Sequence, residues 1–157
     1  MSLPAKAWGL LKSTHPIPSF AVTSFTVLFA IGFDMPIDKL LVVGLGILFQ
    51  QFSVGLSNDW LDYERDKTVG RKDKATVRFD ISVNLVRNAS AVTAALAMAL
   101  ATSAGGATAL VMIAMLVIGW SYNLGLKANA LSVLPYALGF GVLPIFVTLA
   151  LEPSLVP

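Results

Sequence analysis

The feature that most limits what this chain can become is where its charges are missing. Five apolar stretches, roughly Ile17–Phe33, Leu40–Ser57, Ala89–Ala104, Ala107–Leu124 and Leu131–Leu151, contain no Lys, Arg, Asp or Glu. Each is about 16–21 residues long, close to the roughly 20 that cross a bilayer as a helix, and the shorter ones can lean on flanking polar residues that snorkel. Of the 157 residues, 56% are apolar and 13% charged, and the mean hydropathy is +0.77. A soluble domain carries about 25% charged residues, so a soluble sphere of this size would lack the polar surface to cover itself. The expectation is an all-α, polytopic membrane protein with about five transmembrane helices, in one domain over residues 1–157.

The connections support that division. Gly105-Gly106 separates the third and fourth stretches as a tight helical hairpin. Pro36 with Asp34 and Asp38 marks the first turn, where Asp38 is placed to cap the second helix. Lys6 and Lys12 before an apolar run resemble a signal peptide. Against that reading, Ala30-Ile31-Gly32 is a poor cleavage site and four more apolar stretches follow.

Charge sets the orientation. With five spans, the N-terminus, the 58–88 loop and the loop around Lys127 share one side. That side holds Lys6, Lys12, Arg65, Lys67, Arg71, Lys72, Lys74, Arg78, Arg87 and Lys127, whereas the other holds Lys39 alone. The excess makes the N-terminus and the 58–88 loop cytoplasmic. An odd number of spans puts Pro157 on the far side, and the chain stops just after its fifth stretch. Both points suggest an incomplete architecture.

Several chemistries are excluded. The chain has no Cys, which removes disulfides, thiolate metal sites and thiol catalysis, and its one His, His15, argues against His-rich metal centres. A net charge of +2 gives no case for nucleic acid. His15 precedes Pro16 and is read first as part of a helix start.

The informative segment is Asn58-Asp59-Trp60-Leu61-Asp62-Tyr63-Glu64-Arg65-Asp66. Asp59, Asp62 and Asp66 sit at i, i+3 and i+7, within a helical face roughly 60° wide, with Asn58 on its flank. Glu64 points away and is read as solvated. Like charges aligned on a helix repel, and a cation relieves them. Hard oxygen ligands favour Mg²⁺ or Ca²⁺ over zinc, and the spacing of a calcium EF-hand is absent, so a helix-mounted Mg²⁺ cluster fits better.

Complementary groups surround this face. Lys67, Arg71, Lys72, Lys74 and Arg78 follow within a dozen positions, with Gly70 allowing a bend. Such a basic loop either completes a diphosphate site with the metal or contacts anionic membrane lipid. Gln51, Gly55, Asn58 and Asp62 step by four, three and four, a polar and small stripe leading down the second helix. Gln50 and Gln51 serve equally well as hydrogen-bonding partners for a neighbouring helix. Ser121, Tyr122, Asn123 and Lys127 lie at the depth of the acids. Trp60, Tyr63 and Trp120 read as interfacial aromatics, and Gly44, Gly46, Gly55, Gly139 and Gly141 as close-packing positions.

At this point the residues resemble a family. Asn58-Asp59-x-x-Asp62-x-x-x-Asp66 at the end of the second membrane helix, followed by Gly70-Arg71-Lys72-Asp73-Lys74, is similar to the first aspartate-rich motif of the UbiA-type intramembrane prenyltransferases. Leu11-Lys12-Ser13-Thr14-His15-Pro16, and Tyr122 followed by Lys127, strengthen the resemblance. It implies the first half of a bundle of about nine helices around a central cavity. It also implies transfer of an isoprenyl group from a prenyl diphosphate, through Mg²⁺-assisted ionisation, to a hydrophobic acceptor, often an aromatic quinone precursor. On that resemblance Asn58, Asp59, Asp62 and Asp66 would hold Mg²⁺ and diphosphate, with the three aspartates catalytic. Arg71, Lys74, Tyr122 and Lys127 would grip the diphosphate, and the membrane would be the plasma membrane of a bacterium or archaeon. Two departures stand out. The family's second aspartate motif has no counterpart, since Glu152 is the sole acid after Asp80, and Lys74-Ala75-Thr76-Val77-Arg78-Phe79 lacks the family loop's Pro and Gly. The alternatives are a non-catalytic half-module needing a second copy or a different chain, and a small cation-binding membrane protein.

Overall fold

The computed structural model describes residues 3–79 and 81–152. Among them the chain is all helix: α1 (Leu3–Ser13), α2 (Pro16–Ile31), α3 (Ile37–Leu61), α4 (Tyr63–Thr68), α5 (Ala75–Arg78), α6 (Val83–Ala104), α7 (Gly106–Leu124) and α8 (Val133–Leu151), with two short 3₁₀ turns between α7 and α8. Helix is the physical consequence of the sequence, because lipid offers backbone groups no partners and each span must satisfy its own. Four helices are long and apolar enough to span, and α1 with α2 forms a fifth if that bent pair is one span. The expected far-side position of Pro157 lies outside the described residues.

Proline chemistry sets the α1–α2 corner. Pro16 disfavours helical geometry at the residue before it, and His15 takes the left-handed conformation (φ 51°). The helices consequently meet at 54°. α1 carries exposed Trp8 and Leu11, with the Lys12 ammonium over the Trp8 ring.

α3 is the central helix, and its widest contact is with α6, where Ser90 Oγ donates to the Ser53 carbonyl at 2.9 Å. At 25 residues it is about 37 Å long, more than the roughly 30 Å of a bilayer's hydrocarbon. Asn58 and Asp59 lie in its last turn. The apolar core packs Val43 and Ile47 of α3 against Ala97, Met112 and Phe146 of α6, α7 and α8.

Close packing uses glycine, though not at every position expected. A Cβ on Gly55 would stand 2.5 Å from the Thr14 carbonyl oxygen, and one on Gly119 would stand 2.5 Å from Val54 Cγ2. Gly55 therefore admits the α1–α2 corner, and Gly119 admits α3. Gly141 faces open space, so its packing role is not supported. Asp38 does not cap α3 either. Pro36 holds the N-cap position without a side-chain cap bond, and Asp38 lies in the first turn, favourable to the helix dipole. At the same end of the bundle, Lys39 Nζ donates to the Leu151 carbonyl at 2.5 Å, closing the C-terminus of α8.

Candidate active site

The segment expected as a loop over 58–88 is largely helical. α3 ends at Leu61 and α4 begins at Tyr63, yet backbone bonds from Asp62 N to Asn58 O (3.0 Å) and from Asp66 N to Asp62 O (2.8 Å) carry the register across the break. Asp59, Asp62 and Asp66 therefore share one face, as their spacing requires, and all three are buried, at 1%, 8% and 0% exposure. Glu64 is exposed, as expected.

Each carboxylate has a different environment. Asp59 Oδ1 accepts from Lys74 Nζ at 2.9 Å and lies 2.8 Å from His15 Nε2. Asp62 Oδ2 accepts from Lys127 Nζ at 2.5 Å, with Arg65 Nη2 at 3.0 Å. Both Asp66 oxygens are buried without a hydrogen-bond partner, and Arg65 Nη2 stands 3.6 Å from one of them. A buried charge without hydrogen bonds is costly.

Three separate elements deliver the side chains that meet Asp59 and Asp62. Lys74 sits just before α5, after a turn in which Gly70 is left-handed (φ 67°). Lys127 follows α7 beyond the Gly125 turn (φ 155°). His15 arrives at the α1–α2 corner, through the close approach Gly55 permits. Arg71 is placed differently. It is exposed and forms a two-point pair with Asp73, 2.9 Å to Oδ1 and 2.6 Å to Oδ2. That hydrogen-bonded guanidinium pulls the Asp73 carboxyl down to about 2.

An amide lattice joins the acids to the bundle. Asn58 Oδ1 accepts from Lys74 Nζ (2.9 Å), and Asn58 Nδ2 donates to Asn123 Oδ1 (3.1 Å). Asn123 Nδ2 in turn donates to the Val54 carbonyl (2.8 Å) and Ser57 Oγ (2.7 Å). Asn58 also borders a partly open cavity of about 600 Å³ between α2, α3, α7 and α8, which Gly55, Tyr122 and Phe140 line as well. That volume lies within the usual range of small-molecule sites. The expected stripe Gln51, Gly55 and Asn58 is one wall of this cavity, and Asp62 lies outside it. Tyr122 faces Tyr136 across the mouth, ring centroids 5.1 Å apart, and accepts from its hydroxyl at 3.3 Å.

Three buried aspartates, two of them paired with lysines, thus lie next to Asn58, which borders an apolar cavity. The profile of the UbiA prenyltransferase family matches residues 17–157. The chain belongs to the UbiA prenyltransferase family. No curated protein and no solved structure matches it. For a UbiA-family chain the structure brings together Asn58, Asp59, Asp62, Lys74 and Lys127, and sets Tyr122 at the cavity. It keeps Arg71 on Asp73. The pairing of His15 with Asp59 and the anchoring by Asn123 were not read from the sequence. His15 also lies outside the stretch that the UbiA profile matches.

The fit of a metal rests on donor chemistry. Among the described residues no three His, Asp or Glu side chains already converge as a metal-binding group, and Asp59 and Asp62 are engaged by lysines. The two unpartnered oxygens of buried Asp66 nevertheless suit a hard divalent cation, as do the Asp59 and Asp62 oxygens outside the lysine pairs.

Proposed function

We propose that this chain carries out Mg²⁺-dependent transfer of an isoprenyl group from a prenyl diphosphate to a hydrophobic acceptor of the aromatic quinone-precursor kind, within the membrane, with the motif end facing the cytoplasm. The observation that carries the reading is the buried Asp59, Asp62 and Asp66 face, held with Lys74 and Lys127 beside an apolar cavity of about 600 Å³.

Charge balance supports the magnesium requirement. Three carboxylates are met by Lys74, Lys127 and Arg65, so the cluster carries little net charge with which to attract a diphosphate. Asp59, Asp62 and Asp66, with Asn58, would hold Mg²⁺, which when bound supplies Lewis-acid stabilisation of the departing diphosphate. The Lys74 and Lys127 ammonium groups have N–H donors to share with phosphate oxygens. Tyr122 stands at the mouth with its hydroxyl available to the same group. The cavity's apolar wall excludes water from the prenyl chain, which protects an allylic cation from hydrolysis. Arg71 is placed to contact anionic lipid or an incoming diphosphate only after leaving Asp73.

A second reading, a half-module whose cavity is completed by another chain, is favoured by the cavity's partial openness. The deciding experiment is transfer of a labelled prenyl group in membranes. Asp62→Asn abolishes Mg²⁺-dependent transfer on the first reading, and undiminished turnover by that variant removes it.

A further inference from the structure

Among the side-chain amides that line the cavity, Gln51 has a carbonyl oxygen whose hydrogen bonding is left open. Asn58 and Asn123 are committed to Lys74, Val54 and Ser57, and to each other. Deeper in the bundle, Gln50 is 3% exposed; its Nε2 donates to the Met115 carbonyl at 3.4 Å, and its Oε1 accepts from Gln51 Nε2 at 2.8 Å. A main-chain carbonyl can only accept. Gln50 must therefore turn its nitrogen to Met115 and its oxygen to Gln51, which compels Gln51 to turn its nitrogen to Gln50. The Gln51 Oε1 is left as an acceptor with no partner among the described residues, on the cavity wall.

A hydrocarbon tail has no donor for that oxygen, and an amide facing hydrocarbon alone is disfavoured. A hydroxyl or N–H on an otherwise apolar ligand satisfies it. Gln51 lies seven residues before Asn58 on the same helix, about 10 Å along its axis, a distance that a single ring with a polar substituent spans. We propose that Gln51 Oε1, oriented by Gln50, is the point at which the cavity recognises a hydrogen-bond-donating group on the acceptor. This rests on the prenyl-transfer reading for the ligand's role as acceptor. The group recognised is not consumed. In transfer the C1–O bond of the prenyl diphosphate breaks with its electron pair leaving on diphosphate, a bond forms from C1 to the acceptor's nucleophilic atom, and that atom's proton passes to diphosphate or water.

The test is equilibrium binding of 1-naphthol and of its methyl ether to the detergent-solubilised chain, without metal or prenyl diphosphate. The naphthol binds about tenfold tighter than the ether in the unmodified chain. Gln51→Met, close in volume, binds the two alike while keeping its thermal midpoint. Gln50→Leu, which releases the Gln51 amide to rotate, narrows the preference. Equal binding of both probes by the unmodified chain, or a preference that survives Gln51→Met, overturns the proposal. Discrimination lost in Gln51→Met by a chain that never binds prenyl diphosphate supports Gln51 as a donor-recognition point and removes the transfer reading instead.

Discussion

His15 Nε2 lies 2.8 Å from Asp59 Oδ1 across 44 residues of sequence. The contact depends on a third residue, which lies beside the His15 ring. Gly55, one turn before Asp59, lets the Thr14 carbonyl approach so closely that a Cβ would meet it at 2.5 Å. The first aspartate of the motif is thereby tied to the α1–α2 corner as well as to Lys74.

Gly55→Ala tests that dependence. The added methyl meets backbone rather than a flexible side chain, and overpacking of this kind costs about 1–3 kcal/mol. The expected result is a lower thermal midpoint in detergent together with weaker Mg²⁺-dependent binding of prenyl diphosphate. His15→Ala is expected to weaken binding with a smaller change in midpoint. An unchanged midpoint and affinity in Gly55→Ala would mean that the corner is not held by this contact.

Asp66 separates stability from function. Its buried oxygens have no hydrogen-bond partner, with Arg65 Nη2 3.6 Å from one of them, so Asp66→Asn removes a buried carboxyl group whose hydrogen bonding is unfilled. In chelator the variant is expected to unfold at a higher temperature than the unmodified chain. In Mg²⁺ it is expected to bind prenyl diphosphate at least about tenfold more weakly, as loss of a charged ligand implies. Thermal scans with and without Mg²⁺ check both halves.

The two cation classes should behave differently. Lys127 touches Asp62, whereas Arg71 is held by Asp73. Lys127→Met is expected to lower prenyl diphosphate affinity by about 1.5–3 kcal/mol, the range for a charge-assisted hydrogen bond. Arg71→Ala is expected to change it by less than about threefold, in keeping with the small worth of exposed ion pairs. Titration of both variants with labelled ligand makes the comparison.

The Arg71–Asp73 pair also has a pH signature. The hydrogen-bonded guanidinium lowers the Asp73 carboxyl to about 2. A depressed carboxylate keeps its pair at pH values above its ordinary range and loses it as pH falls through the depressed value. Carbon NMR of the Asp73 carboxyl should give a midpoint near 2, rising toward about 4 in Arg71→Ala. A midpoint near 4 in both would show that the pair does not persist in solution.

How much of this was legible in the sequence follows from the range of each interaction. The long apolar helices were, because apolar runs free of charge have one outcome in lipid, whereas the short helices α1, α4 and α5 were not; the acidic face was, because i, i+3 and i+7 is local geometry. Lys74 and Lys127 were named as companions of the acids, but which lysine meets which aspartate is set by the Gly70 and Gly125 turns. His15 was read as a helix start, which it is; its partner 44 residues away depends on Gly55, whose neighbour across the helix pair no local pattern reveals. Gly119 and Tyr136 were missed for the same reason, and Asn123, placed at the depth of the acids, was not read as the partner of Asn58. Arg71 and Lys74 looked equivalent in a basic run, and Asp73 separates them.

The most direct test is binding of a labelled prenyl diphosphate to the purified, detergent-solubilised chain, with and without Mg²⁺, beside the Asp59→Asn/Asp62→Asn double variant. Binding that requires Mg²⁺ and is lost in the double variant is the predicted result. Failure of the folded, unmodified chain to bind in Mg²⁺, or equal binding by the double variant, would contradict a diphosphate site built on Asp59, Asp62 and Asp66.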